Sequence, residues 1–293
     1  TIKNATGTDG GAGIGGGRGA GATVTISGGT IEKAEGTDGG AGIGGGRGAG
    51  ATVTISNGTI GSWDRDTQTA NKNDGAFSSG GAAIGGGAGA SDDTTVTISK
   101  VLIYNAEGRD GGAGIGGGKN SSGAANVNIS SGEVHASTGY GNGGAAIGGG
   151  EQSEGAANVN ISGGVVYAFT DYGNGGAAIG GGEQSEGATK IDISGAAQVY
   201  ANGNDGAAIG GGKQSESATE INISGAAQVY ADGRNGAAIG SGKDSSGAAK
   251  IDITGDAQVS ADGSNGAGIG SGRFSSGETT IKIHDTAGVK RAF

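Results

Sequence analysis

The chain has 293 residues, of which 75 are glycine and none is proline, cysteine or methionine. Glycine at this level without a Gly-X-Y triplet or proline excludes a collagen helix, and 33% apolar with only 4% aromatic residues suits a thin, repeated core better than a broad globular one. A formal charge of −10 and a pI near 4.6 argue against nucleic acid and anionic membranes as partners, and without cysteine there is neither a disulfide framework nor a thiolate metal site.

In chain order, Thr1-Ile2-Lys3-Asn4-Ala5 matches Thr30 to Ala34, so the chain opens mid-turn, as it also closes mid-turn at Val289. The expectation is a fragment or a processed product with open strand edges. Next comes Gly11-Ala12-Gly13-Ile14-Gly15-Gly16, a literal G-x-G-x-x-G. Its isoleucine recurs at Ile43, Ile84, Ile115, Ile147, Ile179, Ile209, Ile239 and Ile269, at spacings of 29, 41, 31, 32, 32, 30, 30 and 30. A second isoleucine follows each, from Ile26 and Ile55 to Ile253 and Ile283. A dinucleotide fingerprint occurs once and leads into a helix; this one occurs nine times without helical spacing after it. A Walker loop fails as well, since Lys119, Lys213 and Lys243 precede Asn120, Gln214 and Asp244. The glycines therefore read as corner geometry.

Each repeat holds three short segments of period two. T-V-T-I-S at 23–27 and K-I-D-I-S at 190–194 put Val24 and Ile26, or Ile191 and Ile193, on one face. V-Y-A at 199–201 and 229–231 turns Val and Ala inward and Tyr outward. G-A-A-I-G-G-G turns Ala207 and Ile209 inward. The prediction is one all-β domain over 1–293: a single right-handed parallel β-helix (solenoid) of about nine turns of about thirty residues, three short strands each. The 41-residue spacing marks an irregular insertion over 61–80 that carries the only tryptophan, Trp63.

In a solenoid, equivalent residues stack, so function is read down columns. The outward position of the second strand runs Glu32, Tyr104, His135, Tyr167, Tyr200, Tyr230, Ser260. Longer turns at 137–142 and 169–174 add Tyr140, Phe169, Asp171 and Tyr172 beside it. Aromatic faces are what sugar rings stack on, so Tyr104, His135, Tyr140, Tyr167, Phe169, Tyr172, Tyr200, Tyr230 and Trp63 are the candidate ligand-binding residues; the alternative is that the rings only staple the sheet.

A polar column (Asp9, Asp38, Asp110, Asn142, Asn174, Asp205, Asn235, Asn265, with Ser79 breaking it) reads as turn residues needing positive φ and as an amide ladder. Calcium between Asp205, Asp232 and Asp262 is the alternative, although no calcium-loop spacing is present; otherwise no cofactor or metal is expected. The outward Thr-x-Thr pairs at Thr23/Thr25, Thr52/Thr54 and Thr95/Thr97 give way to Asn and then to charges, against ice binding. Glycines around each isoleucine, such as Gly206, Gly210 and Gly212, read as a bare strip that another rod could approach. With the open edges, this leaves end-to-end or lateral self-association as a second mode of partnership.

With T-V-T-I-S-G-G-T-I at 23–31 followed by G-G-A-G-I-G-G-G at 39–46, the chain resembles the Gly-rich repeat regions of large bacterial cell-surface, adhesin-like proteins. The resemblance implies an extracellular solenoid at the bacterial cell surface, or secreted, with a polysaccharide or host glycan as partner. The architecture is more distantly similar to pectate-lyase-like helices, whose catalytic clusters have no matching motif here. The expected function is thus non-catalytic glycan binding. A structural spacer or stalk is the alternative, and a β-helix lyase or hydrolase using Asp171, Asp205 or Asp232 ranks third.

Overall fold

The computed structural model describes residues 1–64, 69–71, 73–139, 143–284 and 287–292. Among these the chain is all-β, wound as a right-handed parallel solenoid of nine turns with three sheets along its length. The first sheet stacks nine five-residue strands, from Ala22–Ile26 to Thr279–Ile283. The second contains the longer strands, such as Val165–Thr170, Gln198–Gly203 and Gln228–Gly233. The third stacks only the dipeptide Ile-Gly, from Ile14–Gly15 to Ile269–Gly270. Pairing is in register, so Ile179 meets Ile209 and Ile193 meets Ile223. The recurrent isoleucines therefore stack on one another down the axis, and from Ile43 to Ile239 they are fully buried.

The alternation expected of the first two segments holds: Val199 and Ala201 are buried while Tyr200 faces outward, half-buried. The third segment differs in detail. Ala207 is fully buried, but the alanine that joins the apolar cluster is the next one, Ala208, beside Ile209. A strand two residues long is mostly corner, and strict alternation does not survive a corner.

The glycine after each isoleucine has a specific cause. Gly15 and its equivalents through Gly240 adopt φ between +130° and +143°. A Cβ there would lie 1.8–2.1 Å from the carbonyl oxygen of the next turn's glycine. Only glycine permits both the backbone angle and the approach. Gly206, Gly210 and Gly212 are buried, and their absent side chains would strike the backbone of Gly176, Gly240 and Gly182. They serve the stacking of turns and form no bare surface strip, which corrects the sequence reading.

The polar column also divides. Asp9, Asp38 and Asp110 take positive φ, each followed by a positive-φ glycine. Their turns close by hydrogen bonds from Gly11 N to Thr8 O, Gly40 N to Thr37 O and Gly112 N to Arg109 O, the type I′ pattern. Later copies have one glycine fewer, and Asp205, Asn235 and Asn265 are absent from the positive-φ set. There the amide ladder holds instead: Asn235 Nδ2 donates to Asp205 Oδ1 at 2.7 Å, and Asn265 Nδ2 to Asn235 Oδ1 at 3.0 Å. Asn142 lies outside the described residues.

Besides a register shift between Val259 and Ser260 in its last pairing, two irregularities break the second sheet near the start of the ring column. The insertion leaves the sheet after Ile60, which pairs with Ile103, and returns at Gly75, which pairs with Lys33. Gly75–Ser78 thus belong to the sheet, and the interruption is shorter than 61–80. Trp63–Asp64 and Thr69–Ala70 pair antiparallel within it. One turn on, Tyr104 and Asn105 together oppose His135, a bulge between Ile103 and Ala106.

Candidate binding recess on the aromatic face

The register of the second sheet puts His135, Tyr167, Tyr200 and Tyr230 one above another. Their ring centroids lie 4.5, 5.0 and 5.1 Å apart with interplanar angles of 23°, 12° and 5°. This is the interstrand spacing, so the rings stack face to face as a direct result of parallel, in-register pairing. The inner ring faces are covered by neighbouring rings, and the stack offers edges and hydroxyls along its length. Tyr230, followed in the column by Ser260, is 46% exposed. The Tyr167 phenol is pushed above the usual tyrosine range, first by burial and then by the charges of Tyr200 and Glu133.

Tyr104, expected as the fifth ring, is moved out of register by the bulge. The base of the insertion packs there: a Cβ on Gly61 would meet Tyr104 Cβ at 3.4 Å. Tyr140 lies outside the described residues, as does the side chain of Trp63. Tyr172, 60% exposed on its turn, is covered on one face by the Arg234 guanidinium, 4.5 Å from the ring centroid.

Beside the ring column runs a second outward column, in which Phe77, Glu107, Ser137, Phe169 and Asn202 follow in register. Phe77 is only 2% exposed, between Lys33 at 5.8 Å and Arg109 at 4.9 Å, and each cation is paired with its own glutamate, Glu35 and Glu107. Ser137 is the small residue between two large ones. Glu107 and Phe169 stand one turn to either side of it, so a slot opens about 10 Å wide, twice the interstrand spacing.

That slot is a recess of about 410 Å³, lined among others by Tyr104, Glu107, His135, Ser137, Phe169 and Asp171. Phe169 is 42% exposed and lies parallel to Tyr167 with centroids 6.4 Å apart. The His135 Nε2 sits 2.8 Å from Glu133 Oε1, which fixes the imidazole in the column. The Arg109 Nε donates to Glu107 Oε1 at 2.8 Å, and that bond, followed by the glutamate's charge, holds the guanidinium above its usual range.

The turns that follow the strands of the recess are fastened from inside. Asn174, fully buried, donates from Nδ2 to Thr138 Oγ1 and accepts at Oδ1 from Gly176 N at 2.7 Å. Thr170 Oγ1 donates to Asn202 O and accepts from Asn204 N, while Asn204 Oδ1 receives Gly173 N at 3.2 Å. Both long turns are therefore tied to each other and to the next turn of the solenoid.

Of the candidate residues, the structure brings Tyr104, His135 and Phe169 to one recess; Tyr167, Tyr200 and Tyr230 form the stack leading away from it. Glu107, Ser137 and Asn105 line the recess and were not read from the sequence. The signal for Ser137 and Glu107 lay in the second outward column, two residues beyond the rings. Asp232 and Asp262 face each other on that same column, and the Asp232 carboxyl is raised above its ordinary range, first by burial and then by Asp262. Asp205 lies at the corner instead, 3.9 Å from the Lys213 ammonium and 4.0 Å from that of Lys243. Among the described residues no three His, Asp or Glu side chains group to hold a metal ion.

Five stretches, residues 24–47, 127–151, 159–183, 191–213 and 221–243, match the family model described as Beta helix repeat. Each begins in a strand of the first sheet and ends just past the next Ile-Gly strand, which is one turn of the solenoid. No curated protein and no solved structure matches the chain. Over those five turns, then, it is similar in sequence to beta helix repeats, as it is in fold.

Proposed function

We propose that the chain is a non-catalytic, extracellular β-solenoid module of the adhesin-like kind found at bacterial cell surfaces, and that it holds a glycan in the recess between Glu107 and Phe169. The observation that carries this reading is the recess itself. It lies where insertion, bulge and long turns interrupt the repeat together, and departures from a repeat are where solenoids place binding sites. Its volume of about 410 Å³ suits one or two sugar rings. Phe169 offers an open aromatic face, and Glu107, Asn105, Asp171 and Ser137 offer hydrogen-bonding groups around it.

The ring stack takes the other role that the sequence left open. Face-to-face rings a strand apart stabilise the sheet by about 0.5–1.5 kcal/mol per pair, and this favours a stalk as the second reading. The test separates the two. Retention of the purified chain on a glycan array is measured with Phe169→Ala and Tyr200→Ala variants beside the parent. If the recess binds, Phe169→Ala loses retention with little change in Tm, while Tyr200→Ala lowers Tm and keeps retention. A parent that retains no glycan, with Tyr200→Ala still lowering Tm, leaves the stalk.

A further inference from the structure

We propose that the recess selects a sugar carrying a free ammonium group, an amino sugar without its acetyl cap, over neutral and uronic acid units. This rests on the glycan-binding reading above and narrows its ligand class. Among the described residues that line the recess, the charged side chains are Glu107 and Asp171; no lysine or arginine lines it. The nearby cations are engaged: Arg109 by Glu107 at 2.8 Å, and Arg234 over the Tyr172 ring at 4.5 Å. His135 is matched by Glu133 at 2.8 Å. The Asp171 carboxylate has no ion-pair or hydrogen-bond partner among the described residues and stands exposed on its turn.

An unmatched carboxylate beside aromatic rings is the chemistry that recognises an alkylammonium ion. The carboxylate supplies a charge-assisted hydrogen bond, and the exposed face of Phe169 supplies cation–π attraction. A uronate meets two carboxylates and no free cation. An N-acetyl group removes the charge that both interactions need. The slot geometry fits the same ligand: a sugar ring lying over Ser137 has Phe169 on one side, and its amino substituent can reach Asp171 or Glu107 on the rim.

Calorimetric titration of the full chain with a glucosamine oligomer, its N-acetylated counterpart and an oligouronate of equal length, at slightly acidic pH, tests this. The free-amine oligomer is expected to bind at least about tenfold more tightly than the acetylated one, a difference of about 1.4 kcal/mol. That preference should shrink as salt is raised, because the charges are near the surface. Asp171→Asn, on an exposed turn where the fold does not depend on it, should cut the preference to about threefold or less by weakening the free-amine oligomer more than the acetylated one. Equal binding of free-amine and acetylated oligomers, or preference for the uronate, overturns the inference while leaving glycan binding standing. Binding of none of the three overturns the glycan reading and this inference with it.

Discussion

Asn174 has both ends of its amide engaged inside the corner: the nitrogen with Thr138 and the oxygen with Gly176 N. Replacing it by alanine leaves the Thr138 hydroxyl and a backbone N–H buried without those partners, which costs about 1–3 kcal/mol for each group left unsatisfied. Asn174→Ala should therefore lower Tm measurably and weaken glycan retention as well, because the turns carrying Thr138 and Asp171 lose their common tether. An unchanged Tm would show that water replaces the amide at no cost. Asp232 works in the opposite direction. Its folded-state pKa is raised above the unfolded value, first by burial and then by Asp262, so the folded chain binds the proton more tightly than the unfolded one. The contribution to stability is full below the ordinary carboxylate range and is lost as pH rises through the raised value. Asp232→Asn should thus raise Tm at neutral pH, with the gain vanishing in acid. A pH-independent gain would place its origin elsewhere.

At the scale of elements, the same in-register pairing that stacks isoleucines inside stacks rings outside and brings glycines to within contact of one another at the corner. The Ile-Gly strand has almost no tolerance for a side chain. Gly210→Ala combines φ of +143° with a Cβ 1.8 Å from Gly240 O, and two turns must separate to admit it. We expect a larger loss of Tm from Gly210→Ala than from Tyr200→Ala, although the first removes no atom and the second removes a ring. Thermal melts of the two variants decide it; a Gly210→Ala chain as stable as the parent would mean that the turn spacing yields easily. The strands and the ring column were legible in the sequence because period two and period thirty are both written in single residues. The bulge at Tyr104 and Asn105 was not, since one extra residue in one turn looks like ordinary variation in spacing. The recess was missed for a related reason. It is made by what Ser137 lacks between Glu107 and Phe169, and a small residue in a column draws no notice until its neighbours are known to be in register.

For the whole molecule, the repeat dictated number of turns, sheets and inward faces, while surface chemistry was left to positions that the fold does not constrain. Asp9, Asp38 and Asp110 could be read as turn formers; whether Asp205 met a metal or lysines could not, because Lys213 and Lys243 reach it from the neighbouring column. A solenoid of this kind is close to one-dimensional, each turn touching only the turns before and after it. Stability should then vary along the axis. Interior turns bury their isoleucines completely, from Ile43 to Ile239, whereas Ile281 and Ile283 in the last turn are 42% and 49% exposed. Native-state hydrogen exchange on this 293-residue chain should show protection rising from both end turns to a plateau over the turns holding Ile115 to Ile239, where turn-to-turn backbone bonds are flanked on both sides. Phe169 and His135 lie within that plateau, so the recess is carried on the most rigid part of the rod even though Gly139 and Asp171 on its rim belong to turns. The Asp171–Asn174 turn should exchange faster than the strands beneath it, and slow further when an amino sugar binds. Uniform exchange from end to end would mean that the rod unfolds only as a whole, and that its binding turns share the stability of its core.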